Sequence, residues 1–310
     1  MINPPIVTRA LTRLYGSQAA LKDVSLCVEP GSVYALVGPN GAGKTTLIQL
    51  IMNLLPATSG SVEVLGLPSV DIQGSVLNRI GYVSETQEMP ESMTVAGFLS
   101  YLRPFYPTWD CTLEKQLLAD FGLPLGRELR HLSRGMRMKA AFVSTLSYRP
   151  SLLVLDEPFS GLDPLVRDEL IQGLLERIGE TTIFLSSHDL AEIESFASHV
   201  GYLEQGHLVF SEEMSALSAR FRQVEFCIDA PGTGTQKTPD SWLEVECSGS
   251  RVRFKDAAFT APEEAIEQIL SIFPSARQVV FEPLSLRSIF LANARTNRSL
   301  RAKSDQGAEQ

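Results

Sequence analysis

The chain is short of several things. Its four cysteines, Cys27, Cys111, Cys227 and Cys247, lie far apart and form no C-x-x-C pair. That spacing argues against a metal cluster and points to reduced thiols in a cytosolic protein. No apolar run approaches the roughly 20 residues needed to span a bilayer, so any membrane role has to come through a partner chain. The opening Met1-Ile2-Asn3-Pro4-Pro5 lacks a basic segment followed by an apolar one, and no signal peptide is expected. Basic residues are in deficit, with 27 Lys and Arg against 36 Asp and Glu and a formal net charge of -9. A general nucleic-acid binder carries the opposite balance, which leaves only a local basic patch as a route to nucleic acid. No internal repeat is visible.

What is there is ordinary globular composition, 44% hydrophobic and 20% charged over 310 residues. That length accommodates one large domain and a small one. The strongest signal is Gly38-Pro39-Asn40-Gly41-Ala42-Gly43-Lys44-Thr45-Thr46, which satisfies G-x-x-x-x-G-K-[ST] at every fixed position. Before it, Val33-Tyr34-Ala35-Leu36-Val37 reads as a buried parallel strand; after it, Thr46 to Met52 reads as a helix. Glycines let successive backbone N–H groups turn toward phosphate oxygens, and a helix N-terminus adds unpaired donors and its dipole. Lys44 can then reach β- and γ-phosphates, and the Thr45 hydroxyl can hold Mg²⁺. The bland reading, a glycine-rich turn joining strand to helix, leaves the Lys and Thr without a reason.

Along the chain, Ile6 to Val28 carries two strand-like runs, the second with Leu21, Val24, Leu26 and Val28 in near alternation, as for a sheet with one wet face. Tyr15 falls at the turn between them, either stacking on a base or half-buried in the core. Turns are expected at Thr58-Ser59-Gly60-Ser61 and at Gly66-Leu67-Pro68. Arg79 to Val83 reads as a buried strand leading into the polar loop Ser84-Glu85-Thr86-Gln87-Glu88. From about Thr94 to Leu146 the pattern is helical, broken at Pro104, Pro107, Gly122 and Pro124. Interposed between core strands, it reads as an inserted helical subdomain, about 88–148. Near its end, in Leu132-Ser133-Arg134-Gly135-Met136, a Ser-x-Gly turn opens a helix.

An apolar run from Leu152 then ends in Asp156-Glu157-Pro158. Two acids at the carboxyl end of a parallel strand suit a Mg²⁺ nucleotide site. Asp156 can hold the metal, usually through water, and Glu157 can polarise an attacking water. A solvated loop or a helix cap is the common alternative. Ser160-Gly161-Leu162-Asp163-Pro164 reads as a turn into a helix, and Thr181 to Ser186 as a strand that delivers Ser187-His188-Asp189 to the same sheet end. His188 is there either structurally or as a hydrogen-bond donor to a γ-phosphate. Val200 to Phe210 reads as a hairpin around Gln205-Gly206. Beyond it, strands are expected at Val224–Ile228, Trp242–Cys247, Arg251–Lys255 and Gln278–Phe281, and helices at Pro262–Phe273 and Leu286–Asn293, forming a separate small α/β unit. A loose loop is expected at Pro231-Gly232-Thr233-Gly234-Thr235, and the polar residues 294–310 are expected to be disordered.

The order of these pieces resembles the ATP-binding subunit of ABC transporters over about Ile6 to Phe210. The resemblance implies an α/β fold: a P-loop nucleotide-binding core with an antiparallel β subdomain and the inserted helical subdomain, together about 1–215, plus a small C-terminal α/β domain at 220–293. It implies an ATPase using ATP and Mg²⁺. Tyr15 would stack on adenine, the loop from Gly38 to Thr46 would bind phosphate, and Thr45, Glu85 and Asp156 would attend the metal. Glu157 would be the catalytic base, with Lys44 and His188 on the γ-phosphate. Ser133 and Gly135 would close on ATP held by a second ABC subunit, the same or a different chain, which Asp163 would touch.

The family usually has Leu-Ser-Gly-Gly-Gln where this chain has Leu132-Ser133-Arg134-Gly135-Met136, keeping the Ser and the second Gly. It commonly has Gln where Glu85 stands; Gln87 is a neighbouring candidate, but the spacing favours Glu85. The segment from Glu282 to Leu291 is similar to an extension on bacterial export-type subunits whose permease is a separate chain. That C-terminal unit could equally be a stabilising or dimer-supporting appendage. The chain is then expected at the cytoplasmic face of the membrane, peripheral, held there by a permease that meets the helical block near Met89 to Trp109. Phe105 and Tyr106 are expected to be exposed there unless they simply pack within the subdomain. A soluble ABC ATPase acting on ribosomes or DNA is the competing reading, opposed by the single phosphate loop and the lack of a long coiled-coil insertion.

Overall fold

The computed structural model describes residues 3–86, 88–176, 181–229 and 238–292. The expected loop at Pro231 to Thr235, the tail 294–310, Gln87 and the terminal Asn293 of the last expected helix lie outside them. The chain divides into two compact units, Met1–Ser211 and Glu212–Gln310.

The first unit opens with β1 (Ile6–Tyr15) and β2 (Gln18–Val28), an antiparallel pair. They are joined in one sheet by β4 (Ser59–Val64) and β5 (Leu67–Pro68), in the order β2-β1-β4-β5. The alternation noted in the sequence is the cause: Leu21, Val24, Leu26 and Val28 are buried while the residues between them are exposed. Two expected turns are corrected here. Ser59, Gly60 and Ser61 belong to β4, where Ser59 pairs with Thr12 and Ser61 with Arg9, and Gly60 faces a bulge at Ala10. Leu67 and Pro68 pair with Val64 and Glu63, so the chain reverses at Leu65 and Gly66 instead.

The second sheet of this unit contains β3 (Val33–Val37), β6 (Ile80–Val83), β7 (Leu152–Leu155), β8 (Thr182–Ser187), β9 (His199–Glu204) and β10 (His207–Glu213). Its order is β10-β9-β3-β8-β7-β6, with β3 parallel to β8 and β9, and β7 parallel to β8 and β6. Every residue of β3, β7 and β8 is buried, as near-continuous apolar runs covered on both faces require. The turn between β9 and β10 is Gln205-Gly206, both at positive φ, as a two-residue hairpin loop demands. Helix α1 (Lys44–Ile51) leaves the end of β3 and contributes Leu47, Ile48, Leu50 and Ile51 to a core shared with side chains of both sheets.

Between β6 and β7 the chain inserts α2 (Val95–Leu102), α3 (Cys111–Asp120) and α4 (Arg134–Leu146), N-capped by Thr94, Asp110 and Ser133. The prolines and Gly122 fall in the breaks between helices, where they were expected. Of the two aromatics expected to be exposed, only Phe105 is, at 58% and edge-on to exposed Tyr101. Tyr106 stacks flat on Tyr148 at 3.9 Å between ring centroids and belongs to the packing of this subdomain. Helices α5 (Pro164–Leu175) and α6 (Leu190–Ile193) follow β7 and β8.

In the second unit, α7 (Met214–Arg220), which the sequence reading missed, precedes β11 (Arg222–Cys227). Then come β12 (Trp242–Ser248), β13 (Arg251–Asp256), α8 (Pro262–Ile272) and β14 (Arg277–Pro283). The sheet order is β12-β13-β11-β14, antiparallel throughout. Val224, Phe226, Trp242, Val252 and Phe254 bury one face together with Ile269 and Phe273. Residues 286–292 are helical.

Candidate nucleotide site

The loop between β3 and α1 is shaped by its glycines. A Cβ on Gly38 would lie 2.1 Å from the Leu203 carbonyl oxygen of β9, so only glycine lets the loop pass there. Gly43 sits at φ +109, and a Cβ on it would lie 2.6 Å from the Ala20 carbonyl oxygen of β2. The Gln205-Gly206 turn braces the loop: Gly206 N–H donates to Ala42 O at 3.0 Å, and Lys22 N–H donates to Gly206 O at 2.8 Å. No side chain caps α1 at Gly43. Its first i→i−4 bond runs from Leu47 N–H to Gly43 O at 2.9 Å, so the amides of Lys44, Thr45 and Thr46 have no intrahelical acceptor.

These amides open into a cleft of about 740 Å³ in the first unit. Of the residues singled out in the sequence, Tyr15, Asn40, Gly41, Gly43, Lys44, Thr45, Thr46, Glu85, Glu157 and His188 line it. Gly38, Pro39 and Ala42 belong to the same loop but are not among the residues lining the cleft. Ser133, Gly135 and Asp163 are not among the described residues lining the cleft.

Inside the cleft the charges are already partnered. Buried Lys44 places Nζ 3.1 Å from Glu157 Oε1 and donates to Gly38 O at 2.8 Å. The other oxygen of Glu157 is 2.7 Å from His188 Nδ1. Glu157 has φ +49, a left-handed backbone costly for a residue with a side chain. The carboxylate lies in the cleft, against Lys44 and His188. Behind it Asp156, 2% exposed, accepts from the Thr45 hydroxyl at 3.3 Å and the Ser186 hydroxyl at 2.7 Å. The charge on Asp156 is felt at Tyr82, whose phenol is raised above its ordinary pKa by burial first and by Asp156 second. Next to His188, the Ser187 hydroxyl donates to Glu192 at 3.1 Å, and Arg167 of α5 lies 3.7 Å from the same carboxylate. Burial pushes the Glu192 carboxyl up, and the Ser187 hydrogen bond opposes the shift.

Thr45 and Glu85 line the cleft, and Asp156, which is not among its lining residues, lies behind Thr45; all three carry oxygen donors. No closed cage of three or more ligating side chains exists among the described residues, and a Mg²⁺ that keeps its waters and binds phosphate needs none. At the rim Tyr15 is 48% exposed, with the Arg13 guanidinium 4.7 Å from its ring centroid.

Ser133 and Asp163 stand elsewhere, as N-caps. Ser133 Oγ accepts from Met136 N–H at 3.3 Å and Asp163 Oδ1 from Val166 N–H at 3.1 Å. The two helix starts adjoin: a Cβ on Gly135 would lie 3.0 Å from Val166, and one on Gly161 2.8 Å from the Arg134 guanidinium. Glu85 also lines a second groove, of about 400 Å³, shared with Arg134 and Arg137. Sequence reading missed Gln18, Ser160 and Gln205 of the cleft wall, and Ser186 behind it. Single polar residues in turns and strands carry no distinguishing pattern, so nothing in the sequence marks them.

Comparison with known proteins agrees with this geometry. The ABC transporter family profile matches residues 21–160. The chain is 30% identical over 226 residues to the ABC transporter ATP-binding protein YtrB of Bacillus subtilis, covering 72% of this chain and 77% of that one. It is 33% identical over 224 residues to the bacitracin transport ATP-binding protein BcrA of Bacillus licheniformis, covering 70% and 72%. Among solved structures, an ATP-binding subunit of an ABC transporter superposes with TM-score 0.62 at 29% identity, over 68% of this chain and 91% of that one. A dimeric bacterial ABC transporter cassette shares the fold with TM-score 0.60 at 23% identity, over 67% and 98%. With its phosphate loop, Glu157 and His188 gathered on one cleft and Asp156 behind them, the chain belongs to the ATP-binding proteins of the ABC transporter family.

Proposed function

We propose that this chain binds MgATP in the cleft and hydrolyses it in a site completed by a second ABC subunit, to power a separate transmembrane permease. The observation that carries the reading is the Lys44–Glu157–His188 contact set, placed at the uncapped start of α1. The relatives named above are transporter ATP-binding proteins, which favours transport over a role on ribosomes or DNA.

The phosphates of ATP take the free amides from Lys44 to Thr46, and adenine stacks on Tyr15. Lys44 reaches the β- and γ-phosphates only by giving up Glu157 and the Gly38 carbonyl. Nucleotide binding therefore frees the Glu157 carboxylate to accept a proton from the attacking water. His188, already on Glu157, donates a hydrogen bond to the γ-phosphate as the water attacks. Thr45, Asp156 through water, and Glu85 would hold Mg²⁺, which would supply charge neutralisation to the phosphates when bound.

Ser133, Gly135 and Asp163 act on the nucleotide of the other subunit, identical or different, in a head-to-tail dimer. The exposure of Ser133 and Asp163 outside their own cleft supports this, as does the dimeric cassette of the same fold. No described helix is long and apolar enough to cross a membrane, and the permease holds the chain at the cytoplasmic face. The exposed Tyr101–Phe105 pair of the helical subdomain is the docking patch. We assign residues 1–215 to the ATP-binding domain, 88–148 to its helical insertion, and 220–293 to a stabilising or dimer-supporting domain. The similarity of the segment from Glu282 to Leu291 to extensions of export-type subunits supports export as the direction.

The test is ATP hydrolysis by the chain reconstituted with its permease, with and without EDTA. Hydrolysis lost on chelation and restored by Mg²⁺ is expected. Hydrolysis at full rate in EDTA, or none with permease and Mg²⁺, contradicts the reading.

A further inference from the structure

Ser186 lies near the end of β8, pairing with Leu36 of β3, one residue past the last β7–β8 pair, Leu155 with Leu185. It has no exposed surface. Its hydroxyl spans both acids that follow β7. Asp156 Oδ1 is 2.7 Å from Ser186 Oγ, and Glu157 N is 2.9 Å from it. The direction of each bond is fixed by chemistry: an amide N–H can only donate and an ionised carboxylate can only accept. Ser186 therefore donates its one hydrogen to Asp156 and accepts from Glu157.

We propose that Ser186 is a positioning residue that sets both acids for the metal-nucleotide complex, an inference that rests on the functional reading above. Toward Asp156 it works on one oxygen. Oδ1 receives both Ser186 and Thr45, so the carboxylate is held against rotation, and Oδ2 takes part in neither bond. Toward Glu157 it works on the backbone. The left-handed conformation at φ +49 aims that side chain into the cleft, and the Ser186 oxygen satisfies the amide there, which is buried away from water. One buried hydroxyl thus orients a metal-side carboxylate and a water-side carboxylate together, while touching neither substrate nor metal.

The experiment compares Ser186→Ala and Ser186→Thr with the wild-type chain, all with the permease. It measures kcat and KM for ATP, thermal stability, and the affinity of the ATP complex for Mn²⁺ by EPR titration. Loss of a group that orients a metal's ligand typically weakens metal affinity or activity about 10- to 100-fold. Ser186→Ala is expected to fall in that range in kcat and in Mn²⁺ affinity, while ATP binding in EDTA stays within about 3-fold of wild type. Ser186→Thr, which keeps the hydroxyl, is expected to restore Mn²⁺ affinity. Wild-type kcat and Mn²⁺ affinity in Ser186→Ala overturn the proposal. So do equal defects in both variants, or a loss of stability with unchanged Mn²⁺ affinity. If the wild-type chain itself binds no Mn²⁺–ATP, the functional reading has failed and not merely the role of Ser186.

Discussion

Helix α1 and the pair α4 and α5 begin in opposite ways. The first turn of α1 has no side-chain cap, and its amides open into a cleft with Lys44, Glu157 and His188 already in contact. The starts of α4 and α5 are capped by their own Ser133 and Asp163, lie side by side, and are exposed outside that cleft. The first arrangement presents unpaired amides and a cation to an incoming anion. In the second, Ser133 spends its acceptor on Met136 N–H but keeps its hydroxyl hydrogen, a donor with nothing in its own cleft to receive it. On the function proposed above, donors of the same chemical kind serve two nucleotides, and the chain supplies half of each site.

That contrast can be broken at several points, beginning with the largest effect. Glu157→Gln is expected to lower hydrolysis by about 100-fold or more, since an amide cannot accept the proton, while ATP binding persists. Wild-type turnover in steady-state kinetics would remove Glu157 from the role of base. Lys44→Ala deletes charge-assisted bonds to phosphate, each about 1.5–3 kcal/mol, and is expected to weaken ATP binding roughly 10- to 100-fold by calorimetry. It also strips Glu157 of its buried cation, so an added loss of thermal stability is expected. Tyr15→Ala should raise KM for ATP about 10-fold with kcat unchanged, from a stacking contribution of about 1–3 kcal/mol. A lowered kcat at unchanged KM would place the ring somewhere other than on the base. Glu85→Gln is expected to have the smallest effect, a change in KM for MgATP within about 3-fold, because the residue is exposed at the rim and its charge is screened.

The α1 side of this comparison could be read from the sequence, because phosphate binding needs particular residues at fixed spacing. Gly38, Gly43, Lys44 and Thr45 cannot be exchanged without losing close approach, a backbone region, a charge or a hydroxyl. Asp156 and Glu157 followed from an apolar run ending in two acids. What escaped was decided by neighbours distant in the chain. Gly60 looks like a turn residue until β1 is laid beside it with a bulge at Ala10. Tyr106 looks like a surface aromatic until Tyr148 covers it. Ser186 is one polar residue in a strand until β7 places two acids against it. Likewise, spacing does not say that Ser133 opens away from its own phosphate loop.

The shared site is tested most directly by mixing two inactive variants, Lys44→Ala and Ser133→Arg, after ATP-dependent dimer formation has been shown for the chain by sedimentation. In a mixed dimer one composite site carries both lesions and the other neither. The account predicts that ATPase activity, absent from each variant alone, returns on mixing toward about a quarter of the wild-type rate, the random-pairing limit when half of all dimers keep one of two sites. If each chain used its own Ser133, no mixture could restore hydrolysis, and a flat zero across all mixing ratios would contradict the shared site.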